Sequence, residues 1–311
     1  MNVDKDTRVI ILPKTEKGHQ FYKIINLPLP SDLTKLKSYL IYENDNKIYE
    51  LNIIKGDNSS VTLKNGDAVK SIIIESTTGN GGVLQSANIL IGSPFNFTYL
   101  LISLFEKHYK QINVFKTVED IRDSLVSLEN DWIYDINSEV FTNSLSAICD
   151  EIEENETKFF KYSNEKCIEW INSKILNLQK YIQSSNNNSI LSKIKSELND
   201  STQINYIIDE NLINEMSLLY SIDYICDSYL PQLKQQIISH YNYNFFKMET
   251  HLSELKQKQK NLEVIESNMN EINMITANAN AANKKKKQPP KKQVKKVAIG
   301  KGALDGFLKK A

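Results

Sequence analysis

Short apolar segments separated by turn residues fill the chain from Arg8 to about Ile91. The apolar runs are rich in Ile, Val and Tyr, and they read RVIIL, QFYKIINL, KSYLIYE, KIYELNII, SVTL, AVKSIIIE and ANILI. Between them lie END, GDNS, NGD and GNGG, which contain residues that tight hairpins require. The pattern predicts an antiparallel meander or small barrel of about seven or eight strands.

Some of these strands are apolar on both faces. Ile72, Ile73 and Ile74 are consecutive, and so are the apolar residues 10–12. A strand that buries both faces needs cover on both sides of its sheet. The sequence leaves two sources of cover open, namely a self-contained barrel and a second chain that completes the sheet.

Helical spacing replaces the strand pattern after Pro94. Residues 99–105 carry apolar side chains on one face, and Thr117 and Asp120 have the spacing of a capping box for a second helix. A third helix is predicted over residues 139–149.

Two short segments follow a different pattern. Residues 131–136 hold two aromatic side chains and predict a short strand, whereas the run EIEENE at 151–156 predicts an acidic loop. This order of helices and short extended pieces suits a winged-helix arrangement, and an irregular helical bundle is an alternative.

The most distinctive stretch joins an aromatic run to a helix start. Phe159, Phe160 and Tyr162 favour an extended, half-buried segment. Ser163 is the predicted N-cap of the following helix, whose apolar face contains Cys167, Trp170, Ile171, Ile175, Leu178 and Ile182.

Polar sequence marks the remaining boundaries. The Asn/Ser-rich residues at about 184–203 predict a flexible insertion, and disorder is expected from about residue 249. The chain is therefore expected to be an α+β protein. Its predicted parts are a barrel-like β domain at 1–93, a mostly helical, winged-helix-like domain at 94–248 and a largely disordered tail at 249–311.

The neutral overall charge hides an uneven distribution. Residues 284–311 contain eleven Lys and one Asp, so the preceding 283 residues carry 27 basic and 37 acidic side chains. The acidic body argues against a broad nucleic-acid-binding surface on the folded part. The basic tail suits nuclear import, nucleic acid, or both.

Residue patterns typical of enzyme and metal sites are missing from the sequence. Cys149, Cys167 and Cys226 lack C-x-x-C spacing and are expected to be small buried residues in a reducing compartment, and the four His are scattered. Phosphate-binding and nucleophile motifs are missing too. We therefore expect no catalytic, metal-binding or cofactor-binding residue in this chain.

Neither a signal peptide nor a membrane span is indicated by the sequence. The N-terminus lacks an apolar core segment, and the longest apolar run, Tyr99 to Phe105, is far shorter than the roughly 20 residues that cross a bilayer. We expect a soluble intracellular protein without a membrane partner.

The tail carries two interaction signals. A two-part basic cluster of the nuclear-localisation type is formed by Lys284, Lys285, Lys286, Lys287, Lys291, Lys292, Lys295 and Lys296. A solvating, nonspecific polycation is the alternative interpretation of this cluster.

The second signal lies at the extreme C-terminus. Leu304, Phe307 and Leu308 have the i, i+3, i+4 spacing of an apolar plug on one helical turn. The arrangement resembles the PIP box that binds the sliding clamp, proliferating cell nuclear antigen (PCNA). It departs from that motif because Lys301 replaces the usual Gln and Leu308 replaces the second aromatic residue, and both departures predict weaker binding.

Four segments share a resemblance to one family. FFKYSNEKCIEWINSKI (159–175), ILIGSPFNFTYLLISL (89–104), FKTVEDIRDSL (115–125) and GALDGFLKK (302–310) resemble segments of the B subunit of eukaryotic ribonuclease H2, in the expected order along the chain. That heterotrimer cleaves RNA in RNA:DNA hybrids and nicks DNA at embedded ribonucleotides. The resemblance is patchy over roughly residues 5–235.

The resemblance implies a non-catalytic accessory protein of the nucleus. In the family the B strands interlace with those of the C subunit in a joint barrel, and the Mg²⁺-dependent active site belongs to the A subunit. It also implies contact with RNA:DNA hybrid mainly through the complex, clamp targeting through the tail, and roles in ribonucleotide excision repair and Okazaki primer removal. The family-signature residues are Phe159, Phe160, Tyr162 and Trp170.

A stand-alone winged-helix DNA-binding nuclear protein that docks on the clamp is the alternative. It requires a basic recognition helix, whereas the helix predicted over Val118 to Glu129 holds one Arg and four acidic residues.

Overall fold

The structure, a computed structural model of the 311-residue chain, describes only part of the sequence. The described residues are 7–12, 22–42, 47–55, 62–65, 69–75, 81–84, 86–128, 130–184, 189–200, 203 and 206–285. The chain divides into two compact units, Met1–Thr250 and His251–Ala311.

Seven strands are described in the N-terminal region. They are β1 (Val9–Ile11), β2 (Tyr22–Leu29), β3 (Asp32–Tyr42), β4 (Lys47–Ile54), β5 (Ile72–Ile74), β6 (Gly82–Leu84) and β7 (Ile89–Phe95). Five of them form a sheet in the order β1-β7-β4-β3-β2, and β5 and β6 form a separate antiparallel pair.

One pairing differs from the predicted antiparallel meander. β1 lies parallel to β7, with Ile10 opposite Leu90, while the other neighbours in the five-stranded sheet are antiparallel. The first strand therefore pairs with the last one in the sequence. Such a pairing between distant segments leaves no hairpin signal in the sequence.

The rest of the first unit is helical apart from one β-hairpin. Its elements are α1 (Thr98–Ile112), α2 (Val118–Val126), a 3₁₀ helix (Asp131–Asp135), α3 (Ser138–Ile148), β8 (Cys149–Glu154), β9 (Thr157–Tyr162), α4 (Asn164–Ser184), α5 (Ser189–Leu198), α6 (Glu210–Tyr229), a second 3₁₀ helix (Pro231–Leu233) and α7 (Lys234–His240). The long helix α8 (Phe246–Lys285) begins in the first unit and continues through the described part of the second. The α+β class predicted from the sequence is confirmed.

Local capping signals are realised as predicted. The Thr117 hydroxyl accepts a hydrogen bond from the Asp120 backbone N–H at 3.1 Å, and the Asp120 carboxylate accepts one from the Thr117 N–H at 3.4 Å. At the start of α4 the Ser163 hydroxyl accepts from the Lys166 N–H at 3.4 Å. Each bond satisfies a backbone donor that the first helical turn leaves unpaired.

Two predicted conformations around the winged-helix region were wrong. The 131–136 segment is a 3₁₀ helix instead of a strand, because the buried Asn130 side chain donates to two carbonyls of the preceding turn and Ile133 is buried. The acidic run is part of a hairpin instead of a loop. Its turn is made by Asn155 and Glu156, which both have positive φ, at 49° and 63°.

Two segments with predicted disorder contain helices. Within 184–203, α5 buries Leu191, Ile194 and Leu198 and packs against α6, so its apolar spacing outweighs its polar composition. From residue 249 onward the backbone continues as α8 to Lys285, where disorder was expected. The 249–285 segment is rich in good helix formers and has few helix breakers, so its intrinsic helix propensity is high despite its polar composition.

A chain of aromatic rings joins the sheet to the helices. Tyr39 of β3 contacts Phe95 of β7 at 4.8 Å between ring centroids, and Phe95 contacts Tyr229 of α6 at 6.1 Å. Tyr229 stacks on Tyr99 of α1 at 4.4 Å, and Tyr99 meets Trp170 of α4 edge-on at 4.9 Å. We refer to these five residues as the aromatic chain.

Polar contacts support the same junction. The Tyr229 hydroxyl lies 3.2 Å from a carboxylate oxygen of Glu50 on β4, and Lys23 of β2 forms an ion pair with Asp135 at 2.6 Å. The Ser103 hydroxyl of α1 donates to the buried carbonyl of Pro30 at 2.6 Å. The β region is therefore held to α6, to the first 3₁₀ helix and to α1 by one polar contact each.

Replacing Tyr229 with Ala tests the importance of this junction. Since the substitution removes two ring contacts and the bond to Glu50, we expect a loss of about 3 kcal/mol in the free energy of unfolding. Urea denaturation of the purified chain at low concentration measures this loss. Tyr224→Ala is the matched control on the same helix, because Tyr224 is 64% exposed and its removal should cost at most about 0.5 kcal/mol. Equal losses of unfolding free energy from Tyr229→Ala and Tyr224→Ala would contradict the structural importance assigned to Tyr229.

Candidate functional site

The helices and hairpin from residue 98 to 184 have winged-helix topology. A two-residue bridge joins Lys116 to Phe160 of β9, with N–H to carbonyl distances of 3.0 and 2.8 Å in the two directions. The bridge follows α1, and then come α2, α3, the β8–β9 hairpin and α4. The hairpin is the wing, and α3 directly before it occupies the recognition-helix position.

This order corrects one detail of the sequence analysis. The helix over Val118 to Glu129 was taken as the candidate recognition helix, whereas the structure places α3 in that role. The 3₁₀ helix at Asp131–Asp135 connects the two helices, so the segment predicted as a strand belongs to the turn of the helix-turn-helix.

The exposed face of α3 carries no positive charge. Its exposed residues are Ser138, Glu139, Asn143 and Ser146, and the helix contains neither Lys nor Arg. Affinity for a duplex comes mainly from cations that contact phosphates. Because α3 is neutral to acidic, it lacks the cations that give a recognition helix most of its affinity for DNA.

The wing is acidic as well. Residues 149–162 hold five carboxylates, on Asp150, Glu151, Glu153, Glu154 and Glu156, and two lysines, Lys158 and Lys161. Lys158 donates a hydrogen bond to Glu151, which lowers the pKa of that carboxyl and keeps it ionised. Lys166 of α4 pairs with Asp150 at 3.1 Å. The remaining negative charge would repel a phosphate backbone.

The acidic side chains of the wing do not converge. Within the described ranges, no group of three or more His, Cys, Asp or Glu has the geometry of a metal site. The carboxylates of the wing are exposed along β8 and in its turn, and two of them, Glu151 and Asp150, form ion pairs with Lys158 and Lys166. This arrangement makes the hairpin soluble and orients it through surface ion pairs.

The family-signature residues are packing residues. Phe160 is fully buried, Phe159 is half-buried, and the buried Tyr162 ring lies 5.3 Å from Phe105. The Tyr162 hydroxyl donates to Glu106, and burial raises the pKa of this phenol well above its usual value. Trp170 belongs to the aromatic chain. Phe160 and Tyr162 thus lie in the core, and the predicted extended conformation of the aromatic run is realised in β9.

A cleft beside the aromatic chain had no signal in the sequence. It has a volume of about 660 Å³ and is lined by residues that include Tyr49, Phe95, Val140 and Trp170. These residues come from β4, β7, α3 and α4, which are far apart in the sequence. Only the folded arrangement brings them together.

The three thiols are buried and inert. Cys149, Cys167 and Cys226 are at most 1% exposed, and burial raises the pKa of each to about 12. A thiol with such a pKa is almost fully protonated at neutral pH and is a poor nucleophile. The prediction that they are small buried side chains is confirmed.

The five-stranded sheet exposes apolar side chains that a folded monomer would normally bury. Ile24, Leu36 and Ile53 are 58%, 69% and 60% exposed. Ile24 lies opposite the buried Leu40, and Ile53 lies opposite Leu90, so they share one face with the buried cluster that includes Leu40. Leu36 is on the same face, four residues before Leu40 on β3. We refer to Ile24, Leu36 and Ile53 as the open sheet face.

Other exposed apolar residues surround this face or lie on the small β5–β6 pair. They are Ile11, Ile54, Leu63, Ile73 and Val83, with exposed fractions from 37% to 72%. Among the described strands, β1 pairs only with β7 and β2 pairs only with β3, so each presents one edge. Apolar surface next to sheet edges is the signature of a surface that another chain completes.

Most residues of the two predicted tail sites lie outside the part of the chain that the structure describes. Lys284 and Lys285 end the backbone of α8, while the remaining lysines of the basic cluster lie outside the described residues. The clamp motif at Lys301, Leu304, Phe307 and Leu308 also lies outside them. Both sites therefore stay predictions.

The fold defines a two-part α+β protein, with a β sheet that exposes apolar side chains on one face followed by a winged helix whose α3 carries no cation. Comparison with known families agrees. The Ydr279p protein triple barrel domain matches residues 11–96, and the wHTH domain of the Ydr279p protein family (RNase H2 complex component) matches residues 99–238. The chain belongs to this family and is a component of the RNase H2 complex. No curated protein matches the sequence.

These matches confirm the resemblance found in the sequence. They also confirm the winged helix and the barrel-like β domain as its two folded parts. Among the described helices, none combines the length and the apolar character that a membrane span requires.

Substitutions on α3 test whether the winged helix reads nucleic acid. We expect Asn143→Glu combined with Ser146→Glu to change the affinity of the assembled complex for an RNA:DNA duplex by less than about twofold, because this face has no cation to lose. Fluorescence anisotropy at two salt concentrations measures the affinity. Lys158→Glu, a charge reversal on the wing, is measured in the same assay for comparison with the α3 variant. A tenfold or larger loss from the α3 substitutions would show that α3 contacts the duplex.

Proposed function

We propose that the chain is a non-catalytic component that holds the RNase H2 complex together. In this proposal the complex degrades RNA in RNA:DNA hybrids and nicks DNA at embedded ribonucleotides. The observation that carries the proposal is the open sheet face, where Ile24, Leu36 and Ile53 are exposed on a sheet whose outermost described strands are β1 and β2. Membership in the family supplies the identity of the complex.

The C subunit of the complex is proposed to be the partner at the open sheet face. A partner strand added to the edge of β2 or β1 would satisfy the outward backbone groups of that edge, and its side chains would cover the open face. Burying each large aliphatic side chain contributes about 1.5–3 kcal/mol. Such residues would contribute to the apolar centre of the interface.

The A subunit of the complex is proposed to supply the Mg²⁺-dependent active site. Cleavage by a two-metal mechanism needs carboxylates that converge on two cations about 4 Å apart. In this chain the densest carboxylate group lies on the wing, where the side chains are spread along a hairpin and pair with lysines. The role left to this chain is to position the catalytic protein within the complex, and contact with the hybrid would be made mainly through the complex.

The tail is proposed to bring the complex to its place of action. The basic cluster that starts at Lys284 would direct it to the nucleus, and the motif from Lys301 to Leu308 would attach it to PCNA. Delivery to replication sites would serve ribonucleotide excision repair and the removal of Okazaki primers.

The stand-alone DNA-binding alternative is disfavoured by the winged helix itself. Its α3 lacks cations and its wing carries an excess of carboxylates, so both elements that would touch a duplex have the wrong charge.

Charges placed on the open sheet face test the assembly. We expect Ile24→Glu with Ile53→Glu to weaken the association with the A and C subunits by about 100-fold or more, because each carboxylate would be buried without a partner. Co-expression and pull-down measure the association. The matched control is Tyr181→Glu with Tyr224→Glu, which changes two side chains of similar exposure on α4 and α6.

The same preparation tests the activity. With wild-type chain we expect a stoichiometric trimer that nicks a duplex carrying one embedded ribonucleotide, and we expect the A and C subunits without this chain not to nick it. Undiminished nicking in its absence, or a trimer unaffected by the two Glu substitutions, would overturn the proposal.

The clamp motif is tested separately. Leu304→Ala with Phe307→Ala removes two of the three apolar side chains of the plug, so PCNA binding should become undetectable while cleavage of short hybrids stays unchanged. Surface plasmon resonance with immobilised PCNA measures the binding. The control variant, Lys309→Ala with Lys310→Ala, removes nearby positive charge and keeps the apolar plug. It therefore distinguishes the contribution of the charge to PCNA binding from that of the plug. Undiminished binding by the Leu304 and Phe307 variant would refute the motif.

A further inference from the structure

The outer face of the wing exposes apolar side chains. Ile152 of β8 lies directly opposite Phe159 of β9, so the two side chains share this face. Phe115 lies on it as well, since the ammonium of Lys161, two residues after Phe159, is 5.8 Å from the centre of the Phe115 ring. Ile152 and Phe115 are 45% and 40% exposed, and Phe159 is half-buried. We refer to Phe115, Ile152 and Phe159 as the wing face.

The wing face ends at a strand edge that has no strand beside it. Among the described strands β8 pairs only with β9, so the backbone groups on its other edge lack a strand partner. Residues 150–154 of β8 are all exposed, so the described elements leave this strand open to solvent. A strand added to this edge would place one of its side chains beside Ile152 and continue the wing face.

Carboxylates line the same strand. Four of the six residues of β8 are acidic, and a fifth carboxylate lies in the turn. Two of the five are engaged by lysines of the chain, because Lys158 pairs with Glu151 and Lys166 pairs with Asp150. Five carboxylates and two lysines give residues 149–162 a net charge of −3. The wing therefore attracts cations.

This charge excludes two kinds of occupant. The phosphate backbone of a nucleic acid would be repelled. A second copy of β8 is excluded too, because an antiparallel pair centred on Ile152 would place Asp150 opposite Glu154. Glu151 would lie opposite Glu153 in the same pair, and like charges at directly opposite positions destabilise two paired strands. The strand that fits this edge is therefore cationic.

The residue order of β8 defines the pattern of the complementary strand. An apolar side chain opposite Ile152 would extend the wing face, and a cation on each side of it would meet Glu151 or Glu153. The next residues outward would meet Asp150 or Glu154. Because Asp150 and Glu151 already have lysine partners, the cations opposite Glu153 and Glu154 contribute most. In its simplest form the complementary segment reads KKVKK.

We propose that the wing is a docking site for an extended, lysine- or arginine-rich segment of another protein, which adds to the outer edge of β8 as a strand. Backbone hydrogen bonds hold the segment, its central apolar residue packs on Ile152, and the carboxylates select its charge. The same carboxylates keep uncharged and acidic strands away from the exposed edge. This site is independent of the open sheet face and of the assembly proposed above.

A labelled peptide tests the site on the assembled complex that contains the full chain. The probe is the fluorescein-labelled peptide GSKKVKKSG, and fluorescence anisotropy at about 0.15 M salt measures its binding. We expect saturable binding that Glu153→Lys with Glu154→Lys weakens by about tenfold or more, because two Lys–Glu pairs become Lys–Lys contacts. The matched control is Glu263→Lys with Glu266→Lys, which changes the net charge equally at exposed positions of α8 and should leave the peptide affinity unchanged.

Backbone methylation separates strand addition from simple charge attraction. Two further versions of the peptide carry N-methyl groups on alternate backbone nitrogens, so each version blocks the hydrogen-bond donors of one edge. A strand bound to β8 uses the donors of only one edge. We therefore expect one methylated version to lose its binding and the other to keep it.

The outcomes are decisive in both directions. Binding that is lost in the Glu153 and Glu154 variant and in one methylated peptide alone supports the proposal. Methylated peptides that behave alike, an affinity unchanged by the two Lys substitutions, or no binding by the wild type would overturn it. A gain in affinity after removal of residues 286–311 would assign the site to lysines of this chain and overturn the assignment to another protein.

Discussion

The contact between Tyr229 and its aromatic neighbours is the constraint on which the first unit depends. Aromatic rings are large and bury much apolar surface, and their geometry restricts how the elements that carry them can be oriented. Here the rings come from β3, β7, α6, α1 and α4, so the aromatic chain connects the sheet with three helices. The bond to Glu50 adds a polar contact at its centre. The face of the sheet that carries Tyr39 and Phe95 is thus fixed against the helical part.

The opposite face of the sheet carries the open sheet face. Tyr39 and Phe95 are buried at the junction, whereas Ile24, Leu36 and Ile53 remain exposed among the described residues. The winged helix shows the same division of roles. Its aromatic residues, such as Phe160 and Tyr162, are used for packing, while the exposed face of α3 carries no cation. Under the proposed function, a fold that often binds nucleic acid would serve as a support within the complex, which is consistent with function depending on surface residues more than on the fold.

Local signals were predictable from the sequence, and contacts between distant segments were not. The capping box at Thr117 and the N-cap at Ser163 depend on residues three positions apart, so their geometry can be read directly. The aromatic run of β9 was recognised from composition. By contrast, the parallel pairing of β1 with β7 and the cleft beside Trp170 arise only when remote segments meet. The α5 segment was missed because its polar residues masked three apolar positions at helical spacing. For the open sheet face, the sequence predicted only that some strands need cover on both sides. Apolar runs such as 72–74 do not show which side chains remain exposed in the fold.

The open sheet face also has a consequence for how much of the protein a cell can keep. Exposed Ile24, Leu36 and Ile53 are the type of surface that chaperones and quality-control proteases recognise. Under the proposed assembly, a newly made copy is protected once its partner covers this surface, and a surplus copy stays a substrate for degradation. The steady-state level of the chain would then follow the supply of its partner more closely than its own rate of synthesis. In this way the same three side chains that hold the complex together would also keep its components in proportion.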